Sequence, residues 1–106
     1  MITVLFDDRD LKELIETGYN RKYRNLARDK AFMRRLITVY NTLTAVETTN
    51  EYIRFSFLHY EKLKHVELSS VRVMPGRVER ILFREQDKGI VITILELDST
   101  HYGNKK

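Results

Sequence analysis

The chain contains no cysteine. Disulfides and thiolate metal cages are therefore excluded, and a reducing cytoplasm suits the sequence. No apolar run is long enough to cross a bilayer as a helix, so no membrane partner is expected. The opening stretch, "MITVLFDDRD", turns acidic after a few apolar positions. It lacks the basic start and long apolar stretch of a secretory signal and reads as a first strand. There are no repeats, linkers or low-complexity tracts. The three histidines show no H-x-x-x-H or similar spacing, so neither a mononuclear metal site nor a cofactor is expected.

What is present suits one domain spanning 1–106, because a chain of 106 residues can bury one modest core. The net charge of +4 is moderate, and its distribution says more. Arg21, Lys22, Arg24, Arg28, Lys30, Arg34 and Arg35 face a single acid, Asp29, over one short stretch. Such a run reads either as a solvated helix face or as a surface for a polyanion.

Residues 2–6, "ITVLF", read as a short buried strand. Asp7 or Asp8 can cap a following helix, Leu11, Leu14 and Ile15 form its apolar stripe, and Gly18 is a natural stop. A second helix is expected from about Asn25 to Thr44, with Leu26, Met33, Leu36, Ile37, Tyr40 and Leu43 at helical spacing. The two helices are expected to form an antiparallel hairpin. From Ile53 to Glu67 the period is unclear; the segment reads as a short extended piece followed by a turn or one helical turn. Strands are expected at about 68–74, 78–85 and 90–97, joined by "PGR" and "QDKG". "IVITILEL" is apolar on both faces, as a central strand covered on both sides would be. The expected class is α+β, in the order βααβββ, with an antiparallel sheet of three or more strands.

The segment "SSVRVMPGRVERILF" sets a register problem. A three-residue loop places Arg72 opposite Arg80 and Val71 opposite Ile81; a two-residue loop would mix charge with core and bury it. The favoured register gathers guanidinium groups on the face away from the helices. Like charges opposite each other on a sheet repel, so a carboxylate or an anionic ligand is expected nearby. Glu79 and Glu85 have the wrong parity to answer Arg80 from its own strand, whereas Glu96 on the last strand has the right one. Arginine's planar fork suits phosphate oxygens.

The order of "LHYEKLKH", "SSVRV", "VERILF", "ITILEL" and "DSTHYG" resembles the RelE/ParE superfamily of bacterial toxins, nearest its HigB-like and Bacteroides-type members, over nearly the whole chain. The resemblance implies a RelE-like fold and a cytoplasmic toxin of a type II toxin–antitoxin system. Its partner would be a cognate antitoxin, a small helix-turn-helix protein. RelE- and HigB-like members cleave messenger RNA on the ribosome, which makes an endoribonuclease the leading expectation. ParE-like members poison DNA gyrase instead, and a degenerate member would only bind its antitoxin. By position, Lys64 matches the lysine of the family's L-K-G element and Arg80 the arginine beneath the scissile phosphate. His101 and Tyr102 match the region that supplies catalytic side chains. His65 stands where the family pattern has glycine, and Glu61 where the HigB-type pattern has histidine.

The resemblance thus implies Arg80, His101, Tyr102 and Glu61 as catalytic residues. Lys62, Lys64, Arg72, Arg77 and Arg84 are the expected RNA-binding cations, with Arg24, Arg28 and Arg35 from the basic helix. RNA cleavage without a metal needs a base for the 2′-hydroxyl, positive charge for the phosphorane and an acid for the 5′-oxygen. Histidine titrates near neutral pH, which makes His101 the first choice for proton transfer and Glu61 the second. Tyr102 could stack on a base or donate a proton.

Overall fold

The computed structural model describes residues 1–99. The chain starts with β1 (Thr3–Phe6) and continues into α1 (Arg9–Thr17). Asp8 caps α1 by accepting from the Leu11 N–H at 3.0 Å, and Gly18 ends it in the left-handed conformation, φ 84°. Both signals are local and act as the sequence suggests.

The expected second helix is two helices, α2 (Arg24–Ala27) and α3 (Lys30–Ala45). The break lies at Asp29, whose backbone is extended (φ −86°, ψ 94°) and whose carboxylate accepts from the Phe32 N–H at 3.0 Å. Asp29 is therefore an N-cap and not a mid-helix residue. Phe32, Leu36, Val39 and Leu43 of α3 are fully buried at i, i+4, i+7 and i+11. Each large side chain contributes about 1.5–3 kcal/mol by leaving water.

The ambiguous middle segment forms two short 3-10 turns, Thr49–Arg54 and Ser56–Leu58, and then a two-residue strand, β2 (Glu61–Lys62). Tyr52 is completely buried and donates from its hydroxyl to the Leu43 carbonyl at 2.8 Å, tying this segment to α3. Three longer strands follow: β3 (Ser69–Arg72), β4 (Arg80–Gln86) and β5 (Val91–Asp98).

The sheet has five strands in the order β1-β5-β4-β3-β2. It is mixed, not wholly antiparallel, because β1 runs parallel to β5. The β3–β4 register is the expected one, Val71 opposite Ile81 and Arg72 opposite Arg80. The connection is longer than its central turn, since the ladder stops at Arg72 and Arg80. Met74–Arg77 forms the turn, with Gly76 at φ 78° and the Arg77 N–H on the Met74 carbonyl at 3.1 Å. Pro75 and Gly76 take the positions a type II turn favours for them.

Helices and 3-10 turns pack on the face carrying Val71, Ile81, Phe83, Ile92 and Ile94 in a single apolar cluster. A bulge interrupts β5: Leu82 pairs with Glu96 but Phe83 with Ile94, leaving Leu95 extra. The bulge puts Ile94 and Leu97 on the same side although they are three apart. It also helps explain why "IVITILEL" lacks clean alternation in this central strand. No described helix is long and apolar enough to cross a membrane.

The β4–β5 connection depends on Gly89. Its φ is 89°, and a Cβ there would meet Thr49 Oγ1 at 2.7 Å and Thr49 N at 3.3 Å. Gly89→Ala is expected to destabilise the fold by about 2 kcal/mol. The check is a lower urea midpoint at unchanged slope; an unmoved midpoint would mean the Thr49 segment yields freely.

Candidate functional site

On β4, Arg80, Leu82 and Arg84 alternate away from the helical layer. Arg80 has a side chain only 16% exposed, and each contact that fixes it comes from an adjoining element. Its Nε donates to Ser70 Oγ on β3 at 2.9 Å, and its Nη2 donates to the His59 carbonyl at 2.6 Å. The same Nη2 lies 3.6 Å from Glu61 Oε1 on β2. Glu61 is more exposed, at 59%, so the ion pair opens onto solvent. Burial holds the Arg80 guanidinium below its usual pKa; Glu61 opposes that shift and Arg72 adds to it.

Arg72 stands opposite Arg80 and is treated differently by the fold. It is half-buried, its Nε has no solvent contact and no acceptor among the described residues, and no described carboxylate pairs with it. The face therefore holds one oriented guanidinium beside one that no described residue answers. A bidentate anion between them would satisfy the second and offset their repulsion.

His59 contributes through its backbone. It adopts the left-handed conformation (φ 47°, ψ 48°) after the second 3-10 turn, which presents its carbonyl to Arg80. Non-glycine residues pay strain for that conformation, and strain of this kind concentrates at working sites. Sequence reading missed both His59 and Ser70. The available signals were weak: histidine is enriched at such backbone positions, and Ser70 is a small polar residue in a strand.

On the helix side of the sheet, Glu85 organises a second cluster. Its carboxylate accepts from Ser69 Oγ at 2.6 Å, Thr49 Oγ1 at 2.7 Å and the Tyr60 hydroxyl, with Lys62 Nζ at 3.9 Å. Burial works to raise its pKa, but the Ser69, Tyr60 and Thr49 hydrogen bonds and the Lys62 charge outweigh it, and the carboxyl titrates below its ordinary range. Tyr60 is pushed up, first by burial and then by its bond to Glu85. Residues 59 to 61 are thus clamped to β4 from both sides: His59 and Glu61 on Arg80, Tyr60 on Glu85.

The lowered Glu85 pKa has a defined sign. A carboxyl whose folded pKa lies below its unfolded value stabilises the fold fully above the unfolded value, and that stability is lost as pH falls through the folded one. The wild-type urea midpoint should therefore drop from about pH 5 downward, and Glu85→Gln should lessen that acid dependence. Equal acid profiles for the two proteins would refute the assignment to Glu85.

The other expected site residues are dispersed. Arg84 is exposed on the Arg80 face, four residues along β4. Lys62 alternates away from Glu61, pairs opposite Ser69 and approaches Glu85 instead of Arg80. Lys64 is exposed in the connection after β2. Arg77 bridges Asp29 at 3.0 Å and Glu79 at 3.2 Å, with its guanidinium 5.2 Å from the Phe32 ring centre. Its charge is answered inside the fold. Arg24 and Arg28 are exposed on the helical layer, while Arg35 lies 5.7 Å from the Phe57 ring centre. Among the described residues the carboxylate within ion-pair distance of Arg80 is Glu61; the buried Asp98 stands opposite Arg80 in register on β5, and Glu96 is exposed and paired in register with Leu82. His101 and Tyr102 lie outside the described residues. No family model matches the chain, and no curated protein matches it.

Proposed function

We propose that this protein is a RelE/ParE-type toxin that cleaves messenger RNA on the ribosome and is held inactive in the cytoplasm by a cognate antitoxin. The observation that carries the reading is the Arg72–Arg80 pair, with Arg72 lacking a partner among the described residues and Glu61 at 3.6 Å from Arg80. A single-stranded RNA laid across this face would put one phosphate between the two forks. The RelE-like assignment of the fold belongs to the same proposal.

The reaction needs only the substrate's own nucleophile. The 2′-oxygen attacks the adjacent phosphorus, the P–O5′ bond breaks, and the products are a 2′,3′-cyclic phosphate and a 5′-hydroxyl. Glu61 takes the proton of the 2′-hydroxyl; His101 or Tyr102 returns one to the leaving 5′-oxygen. Arg80 and Arg72 stabilise the charge that builds on the phosphorane. The phosphate exchanges readily with Glu61 as Arg80's partner because that carboxylate is solvated.

The test is induced expression followed by mapping of messenger 5′ ends. Cuts within translated frames that vanish with Arg80→Ala establish the nuclease. Toxicity with intact messages and altered DNA supercoiling would replace it with gyrase inhibition, and absence of toxicity would leave only antitoxin binding.

A further inference from the structure

Among the described residues, Glu79 is the carboxylate whose burial leaves an oxygen without a donor. The residue is only 8% exposed, and its Oε1 has neither solvent contact nor a hydrogen-bond partner there. Its Oε2 accepts from Arg77 Nη2 at 3.2 Å, but that guanidinium also serves Asp29 at 3.0 Å. Two carboxylates thus share one cation. An unpaired oxygen on a buried carboxylate is costly, so its presence calls for an explanation.

Glu79 lines a cavity of about 300 Å³ where the start of β4 and the end of β5 meet α2. Leu26 and Leu97 give it apolar walls, and Tyr23 adds an aromatic one. The Tyr23 ring already holds a cation, with Lys22 Nζ 5.3 Å from its centre. Burial, the hydrogen bond to Asp8 and the charges of Asp8, Asp10 and Glu96 push the Tyr23 hydroxyl's pKa up, and those three carboxylates add to the negative charge of Glu79. An anion would meet repulsion here. A metal ion would find too few ligands, because the described residues contain no group of three or more histidines, aspartates or glutamates that could hold one. An ammonium on a short hydrocarbon stem matches both parts of the lining, the charge for the carboxylate and the stem for the leucines. A cavity of this size is small for a ligand site and suits a compact molecule.

We propose that this cavity binds a small primary ammonium, with its charge on Glu79 and its stem between Leu26 and Leu97. A turn about the last torsion of Glu79, which is soft for a carboxylate, brings Oε1 to the ligand while Arg77 keeps Asp29. The site uses neither Arg72 nor Arg80. It does not depend on the nuclease reading, and its test does not use RNA cleavage.

The probe is butylammonium, and the control is 1-butanol, which has the same stem and no charge. Both are titrated into the full chain and followed by amide NMR shifts. Butylammonium should give saturable shifts centred on Tyr23, Leu26, Glu79 and Leu97, and butanol should not. Glu79→Gln, which keeps the shape and removes the charge, should weaken butylammonium binding about tenfold or more. Far-UV circular dichroism reports whether that variant folds; the comparison of the two probes needs only the wild-type chain and decides the matter if it does not. Equal binding of the two probes or no saturable shift would overturn the proposal. So would shifts spread over exposed carboxylates such as Asp7 and Glu16, or unchanged binding in a folded Glu79→Gln.

Discussion

Arg80→Ala is expected to lower messenger cleavage in induced cells by roughly 10²–10³-fold, the effect of removing one well-placed donor to developing charge. The structural effect should be far smaller, because the change frees mainly the Ser70 hydroxyl and the His59 carbonyl, at about 1 kcal/mol each. Arg80→Lys restores charge but cannot reach Ser70 and His59 from a fixed fork, so it should recover little. Arg72 supplies the complementary test. Its Nε is buried without an acceptor among the described residues and its charge faces Arg80, so Arg72→Leu should raise the urea midpoint while cleavage falls. On the proposed reading both effects come from one cause, the buried Arg72 Nε that has no acceptor among the described residues. A variant that lost stability as well as cleavage would show Arg72 to be structural.

Glu85→Ala is expected to destabilise the protein by about 3 kcal/mol, among the larger single effects the fold can show. It removes the acceptor of three hydroxyls at once, and Ser69 and Thr49 are each only 3% exposed, so water cannot replace it cheaply. For a chain of this size that corresponds to a melting-temperature drop of roughly 12 °C or more. The damage should be directional. Hydrogen exchange should quicken over residues 49–61, which the carboxylate ties down, more than in α1. Because that segment carries the His59 carbonyl and Glu61, cleavage should fall too. A melting temperature indistinguishable from wild type would remove Glu85 from this role.

The parts of the fold legible in the sequence were those set by neighbours. The Asp8 cap and the Gly18 stop need only the residues beside them. The β3–β4 register was legible because any slip would bury an arginine. Asp29 was misread because the helical stripe runs on past it, and only its side chain's return to the Phe32 N–H marks the break. Ile53, Phe55 and Phe57 alternate as a strand would, yet Ile53, 74% exposed, and Phe57 sit in tight turns, with Phe55 extended between them. The parallel pairing of β1 with β5 had no local signal. In the site, arginine parity named Arg72 and Arg80, and a family resemblance named Glu61. The His59 carbonyl stayed hidden because a backbone acceptor has no residue type.

The position of β1 governs when this protein can become whole during synthesis. Thr3 must wait for Val91, eighty-eight positions later, before its strand has a neighbour. At usual elongation rates that is a delay of roughly 4 to 18 seconds. Because β5 sits between β1 and β4, neither has its final lateral support until it emerges. A nascent chain halted before residue 91 would carry Arg72 and Arg80 on an unfinished platform, so whatever this face does begins only once β5 has been made.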